Sequence, residues 1–127
     1  VGLDSPCTAI SSTFAEVSIQ INNGRVTYLS VERSKSLLID QAISFVPYFF
    51  ELQTLNVVKT KLTKLFAFPD SLQIFFGSET RLAQLPELPD SLNYIDIRDT
   101  PASKNIELLE RLEAFMEAHT DVDLFYF

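Results

Sequence analysis

The sequence is poor in the residues on which most enzyme and metal sites depend. Its 127 residues include one cysteine (Cys7), one histidine (His119) and three glycines (Gly2, Gly24 and Gly77). A lone cysteine excludes an internal disulfide, and no cysteine and histidine cluster offers zinc ligands. The glycines are too far apart to form a phosphate-binding loop. We therefore expect no cofactor, no metal and no catalytic site, and we predict that the protein is not an enzyme.

Long apolar runs and excess positive charge are also missing. The longest apolar stretch, residues 42–50, contains Pro47 and falls well short of the roughly 20 residues that cross a bilayer. The net charge is −7, and residues 65–127 carry four basic against twelve acidic side chains. Because an acidic surface repels phosphate groups, we expect no nucleic-acid partner and no membrane insertion. The hydrophobic fraction of 46% is nevertheless high enough for a folded core.

A twenty-residue repeat runs through the middle of the chain. The first position of each block is Leu and the ninth is Thr. These residues are Leu52, Leu72 and Leu92, followed by Thr60, Thr80 and Thr100. The first two blocks both close with Pro-Asp-Ser, at 69–71 and 89–91. A diverged copy begins at Val26, and a longer connection over residues 36–50 separates it from the next block. The apolar spacing in that connection predicts a helical segment ended by Pro47.

The pattern within each block alternates apolar and polar residues, which is typical of a short strand with one buried side. One such unit cannot bury its own apolar side, whereas stacked units share a continuous core. The proline-rich returns favour an extended convex side. The sequence therefore predicts parallel strands in a single curved sheet, centred near Leu29, Leu55, Phe75 and Ile95.

Both ends of the repeat array are predicted to carry caps. Val17, Ile19 and Ile21 alternate with polar residues, and Asn23-Gly24 then provides a strong hairpin signal.

At the C-terminal end, an amphipathic helix of about four turns is predicted from helical spacing. Its apolar residues are Ile106, Leu109, Leu112, Phe115 and Met116. We expect His119 to be a surface or capping residue at the end of this helix, and residues 121–127 to form a short final strand. Its aromatic side chains could lie in the core or on a contact surface, and we favour the core.

At these residues the sequence resembles the short bacterial type of leucine-rich repeat. The matching string, L-x-x-L-x-V-x-x-N-x-L-x-x-L-P-x-L-P-x-S, is clearest at 72–91. Such repeats occur in secreted effectors of Gram-negative pathogens, including the repeat region of a class of bacterial ubiquitin ligases. Here Thr replaces Asn at the ninth position, and the ligase domain has no counterpart, so no ligase activity is implied. The resemblance implies binding to a protein.

The fold class expected from these observations is α/β: a short leucine-rich-repeat solenoid with a parallel sheet, an N-terminal β-hairpin cap and a C-terminal helical cap. We expect one domain, with the caps at 1–25 and 104–127 and the repeats at 26–103. The first residue is Val rather than Met, so we expect the natural start to have been trimmed. The family resemblance suggests secretion or delivery into a host, although a cytoplasmic location is also open, and we expect a monomer.

The residues between the core positions should face outward on the concave side of the sheet. They include several apolar and aromatic side chains with a charged rim, which is the layout of a protein interface. The candidate partner-binding residues are Tyr28, Glu32, Val58, Ile74, Phe76, Tyr94, Asp96 and Arg98. A competing interpretation is that a bulge turns Phe76 inward to fill the space beside Gly77.

The expected function is therefore a non-catalytic protein–protein interaction module that binds its partner on the concave face. The alternative is a structural repeat segment of a larger chain, which stacks on a neighbouring domain or associates with itself.

Overall fold

Short alternating segments of the sequence form strands, and the segments between them form turns and two helices. The computed structural model describes residues 17–119 and 124–127. In chain order its strands and α-helices are β1 (Ser18–Asn22), β2 (Arg25–Ser30), α1 (Ile39–Ile43), β3 (Thr54–Asn56), β4 (Ile74–Phe76), β5 (Tyr94–Asp96), α2 (Ile106–Ala118) and β6 (Leu124–Tyr126). Short 3-10 helices occupy Val46–Tyr48 and Pro101–Lys104.

All six strands belong to one sheet, in the order β1-β2-β3-β4-β5-β6. β1 and β2 pair antiparallel, and every later neighbour pairs parallel. The register places Leu29, Leu55, Phe75, Ile95 and Phe125 side by side. The predicted α/β class with a mainly parallel sheet is thus confirmed, as are the four strand positions.

The first two strands form the predicted hairpin. Its turn is made by Asn23 and Gly24, which have φ angles of 52° and 77°. Asparagine and glycine tolerate this left-handed backbone better than other residues, which is why the pair specifies a tight hairpin. The register shifts between Gln20 and Ile21, so the hairpin contains one irregularity.

The core consists of the side chains that point away from the exposed face of the sheet. The first, fourth and sixth positions of the blocks are buried, as are two leucines in the return segments. These fully buried residues include Leu52, Leu55, Val57, Leu62, Leu72, Phe75, Leu82, Ile95 and Ile97. The ninth-position threonines are buried too. The Thr60 and Thr80 hydroxyls donate to the carbonyls of Val57 and Gly77, at 2.7 and 2.9 Å. Each buried hydroxyl therefore closes the turn that follows its strand.

Four equivalent turns follow β2, β3, β4 and β5, and each contains one residue with a left-handed backbone. These residues are Arg33, Lys59, Glu79 and Asp99, with φ angles of 62°, 57°, 55° and 60°. None of them is glycine, although this conformation costs an ordinary residue about 1–2 kcal/mol. The four turns therefore share one backbone conformation but carry different side chains at this position.

The helical segment after β2 is shorter and more broken than the sequence predicts. α1 ends at Ile43, and Pro47 lies inside the following 3-10 helix instead of ending the segment. A proline fits there because the first turn of a helix needs no amide donor from it.

α2 lies against the last repeat, but with a different phase from the prediction. The Asn105 side chain accepts a hydrogen bond from the Leu108 amide at 3.2 Å and so begins the helix. Leu108 and Leu112 are its buried residues, Leu109, Phe115 and Met116 are half-buried, and Ile106 is 72% exposed. The prediction that Ile106 faces the core is therefore wrong, because Ile106 lies two residues from Leu108 and so points to the opposite side of the helix.

Within residues 17–119 and 124–127, none of the helices has the length and apolar character needed to cross a membrane.

Candidate protein-binding face

Three aromatic rings lie next to one another on the exposed face of the sheet. Phe76 and Tyr94 have ring centroids 5.0 Å apart, and Tyr94 and Tyr126 have centroids 5.7 Å apart, with both pairs tilted by 54°. They come from β4, β5 and β6, so the parallel pairing of those strands brings them together. We call Phe76, Tyr94 and Tyr126 the aromatic platform. An exposed sheet face usually carries polar residues, so this concentration of rings marks the face as unusual.

An ion pair fixes the position of Arg98 beside the platform. Arg98 Nε and Nη2 donate to the two carboxylate oxygens of Asp96 at 3.1 and 2.8 Å. The guanidinium also lies over the Tyr126 ring, 4.8 Å from its centroid. Asp96 is only 7% exposed, whereas the Arg98 side chain is 57% exposed. The result is an exposed cationic group that is already held in one orientation.

Phe76 faces outward, and Phe75 faces the core. Phe75 is fully buried, Phe76 is half-buried, and the pairing of β4 with both neighbours runs without a bulge. The space beside Gly77 is filled by the Phe75 ring, since a β-carbon on Gly77 would lie 2.4 Å from it. The alternative in which Phe76 turns inward is therefore wrong.

The structure brings together only part of the predicted site. Phe76, Tyr94, Asp96 and Arg98 form one cluster, with Ile74 half-buried beside Tyr94 in the register. Val58 follows β3, one strand further away, and is also half-buried.

Tyr28 and Glu32 lie at β2, three strands from β5. At roughly 4.8 Å per strand this separation is about 14 Å. Glu32 therefore lies on the far side of the predicted site from Asp96, which is paired with Arg98.

Tyr126 is a platform residue that the sequence analysis did not include. The predicted core position of the aromatic C-terminus is correct only for Phe125, which packs partly buried against the core. Tyr126 and Phe127 are 37% and 39% exposed. The alternation of side chains along a strand could have shown that Phe125 and Tyr126 face opposite sides. Residues 121–123 of the predicted strand lie outside the described residues.

Comparisons with family models, curated proteins and solved structures found no match to this chain. The case for a function therefore rests on the side chains of the platform and its surroundings.

The ionisable groups of the platform are shifted by one another. Burial raises the pKa of Asp96, but hydrogen bonds from the Arg98 side chain and backbone outweigh it, so the net shift is downward. Burial raises the pKa of Tyr94, and the Asp96 carboxylate adds to the effect. At neutral pH the cluster therefore contains a neutral phenol and a closed, charge-balanced ion pair.

Among residues 17–119 and 124–127, no group of three or more His, Cys, Asp or Glu side chains could hold a metal ion. A cavity of about 480 Å³ lies elsewhere, between the return segments at 66–70 and 86–90. Its lining contains the carboxylates of Asp70, Glu87 and Asp90. The platform instead offers ring faces and one oriented guanidinium, which are features of binding surfaces.

Proposed function

We propose that this chain is a leucine-rich-repeat solenoid of the short bacterial type, and that it binds a partner protein through the aromatic platform without catalysing a reaction. The fold part of the proposal is supported by strands β3, β4 and β5, which start twenty residues apart at Thr54, Ile74 and Tyr94. It is also supported by the four left-handed turns that follow equivalent strands.

The observation that carries the binding proposal is a row of three aromatic rings in contact on a solvent-facing sheet, with an oriented arginine over the ring of Tyr126. Tyr and Arg are enriched among the few interface residues that supply most of the binding energy. Because Asp96 already holds Arg98 in place, little side-chain entropy remains to be lost when a partner docks on it.

The experiment that tests this proposal is a quantitative comparison of proteins captured by variants of the chain. Tyr94→Ala and Tyr126→Ala remove two platform rings, and Tyr28→Ala removes a half-buried tyrosine of the same face three strands away. A partner of the platform should be captured by the wild type and by Tyr28→Ala, and lost with both platform variants. Proteins that all four chains capture equally would place the binding site elsewhere.

A second candidate function has a separate observation in its favour. Leu37, Leu38, Tyr48 and Phe50, around α1, are between 53% and 77% exposed, which is unusual for large apolar side chains. They favour a segment that stacks on a neighbouring domain or on a second copy. Sedimentation of the wild type and of a Leu37→Ser, Phe50→Ser variant tests this: a concentration-dependent dimer that the variant abolishes would support self-association.

A further inference from the structure

The end of α2 is connected to the platform by a stack of rings beneath β6. The His119 ring stacks on the Phe115 ring, with centroids 3.9 Å apart and planes 15° apart. Phe115 in turn stacks on Phe125 of β6, with centroids 5.8 Å apart and planes 12° apart. The next residue, Tyr126, faces the other side of the sheet and carries one of the platform rings. β6 thus has α2 behind it and the platform in front.

β6 has less support than the strands in the middle of the sheet. It is the last strand of the described sheet and pairs with β5 alone, whereas each middle strand pairs with two neighbours. The Ile97 amide donates to the Tyr126 carbonyl at 2.9 Å. Besides such backbone bonds, β6 is held on one side by the contacts of Phe125 with the core and with Phe115, and on the other by the contacts of Tyr126 with Tyr94 and Arg98. A change in how α2 is docked should therefore reach Tyr126 through Phe115 and Phe125.

The His119 ring makes two hydrogen bonds, one to the backbone of α2 and one to a return segment. Its Nδ1 lies 2.9 Å from the Phe115 carbonyl oxygen, and its Nε2 lies 3.1 Å from Asp90 Oδ1. Both partners are acceptors, and only the protonated imidazolium can donate from both nitrogens at once. A neutral ring must give up one of the two bonds. The position at the C-terminus of α2 also favours a cation, because the helix dipole is negative there.

Asp90 is the one charged side chain that reaches His119 among the described residues. Glu87 on the same return and Glu113 and Glu117 on α2 make no ion pair with it, and Arg111 donates to the Pro86 carbonyl instead. The hydrogen bond to the Phe115 carbonyl, together with Asp90, raises the pKa of His119 above its usual range despite partial desolvation.

We propose that protonated His119 clamps α2 to the return segment at Asp90 and thereby holds β6, and with it Tyr126, in the aromatic platform. The platform is then best ordered at mildly acidic pH and loosens as the pH rises. The inference that this pH dependence regulates partner binding rests on the proposed function of the platform.

The sign of the effect follows from the direction of the shift. Because the pKa of His119 is higher in the folded protein than in the unfolded chain, protonation favours the folded arrangement. The contribution is fully present below the ordinary histidine pKa of about 6.5. It is lost as the pH rises through the folded-state pKa of His119.

Hydrogen exchange of single amides, followed by NMR on the whole chain, tests the proposal without a partner. The Ile97 amide bonds to β6, and the equivalent Val57 amide donates to the Phe76 carbonyl at 2.9 Å, away from β6. Protection factors, which remove the intrinsic pH dependence of exchange, would be compared between pH 5.5 and pH 8. We expect the Ile97 value to fall about two- to fivefold with rising pH, a small change because the Asp90 side chain is 96% exposed and exposed ion pairs contribute little. The Val57 value should stay constant.

Two variants make the test specific. His119→Gln cannot titrate and should abolish the pH dependence of Ile97 protection. Asp90→Asn removes the carboxylate and should reduce that dependence. An Ile97 value that does not change with pH, a dependence that persists in His119→Gln, or a parallel change at Val57 would each overturn the proposal. Once a platform partner is known, equal affinity at both pH values would contradict the regulation while leaving the proposed function intact.

Discussion

The Phe75 ring lies against Gly77 so closely that a β-carbon on residue 77 would come within 2.4 Å of Phe75 Cε2 and 2.6 Å of Cζ. The positions equivalent to Gly77 in the neighbouring strands are Val57 and Ile97, which are both fully buried. In this repeat Phe75 is larger than Leu55 and Ile95 at the equivalent positions, and Gly77 has no side chain. The Phe75 ring therefore fills the space that a side chain at position 77 would occupy.

This relationship predicts that Gly77→Ala destabilises the protein. The new methyl group would displace a ring that is enclosed on all sides, at a cost of about 1–3 kcal/mol. Phe75→Leu in the same chain should recover part of that loss by making room. Urea unfolding of the wild type, both single variants and the double variant measures the coupling. Simple additivity of the two single effects would show that the residues do not compete for the same space.

The two adjacent phenylalanines of β4 should respond in opposite ways to truncation. Phe75→Ala is expected to lower the free energy of unfolding by about 3–5 kcal/mol, because it empties a fully buried site. Phe76→Ala should leave most of the stability and weaken binding of a platform partner by about 1–2 kcal/mol. Thermal melts and titration calorimetry distinguish the two. Unchanged affinity of Phe76→Ala would remove Phe76 from the binding face.

Acid should weaken the ion pair beside the platform. The pKa of Asp96 is lowered in the folded protein by its hydrogen bonds with Arg98. Its contribution to stability is therefore present above the unfolded aspartate pKa of about 3.9 and is lost as the pH falls through the lower folded-state value. Unfolding free energies measured between pH 2 and pH 5 should show this loss in the wild type. Both Asp96→Asn and Arg98→Gln should flatten it, and an equally steep profile in either variant would contradict the assignment.

The phase of α2 can be checked by a matched pair of truncations. Leu108→Ala should cost about 2–5 kcal/mol, as for other buried leucines. Ile106→Ala should change stability by less than about 0.5 kcal/mol, because the side chain is exposed. Chemical denaturation of both variants decides between this structure and the spacing predicted from the sequence. A larger loss for Ile106→Ala would restore the sequence-based helix face.

The features that the sequence predicts correctly are those set by local chemistry. Alternation around Leu55, Phe75 and Ile95 determines strand positions, and Asn23-Gly24 determines a turn, because the residues that decide these features are adjacent in the chain. The errors concern relations between distant segments. Whether Ile106 or Leu108 faces the core depends on what α2 packs against. Tyr126 joins the platform because β6 pairs with β5 in a register that no repeat spacing reveals.

The candidate site shows the same division. The repeat register correctly places Phe76, Tyr94 and Arg98 on one face, since each occupies an outward column. The same register places Glu32, which follows β2, three strands from β5, because successive repeats occupy successive strands of the sheet. The pairing of Asp96 with Arg98 also depends on side-chain conformations, which the repeat spacing does not specify.

The four left-handed turns place charged side chains in a row at the C-terminal ends of β2 to β5, and the sign of the charge changes along the row. From β2 to β5 the residues are Arg33, Lys59, Glu79 and Asp99, so the first two are positive and the last two are negative. The fold constrains the backbone of these turns but leaves their side chains exposed. This row of turns is consequently positive at the β2 and β3 end and negative at the β4 and β5 end. A charged protein approaching it would experience a torque as well as an attraction, and would arrive preferentially in one orientation.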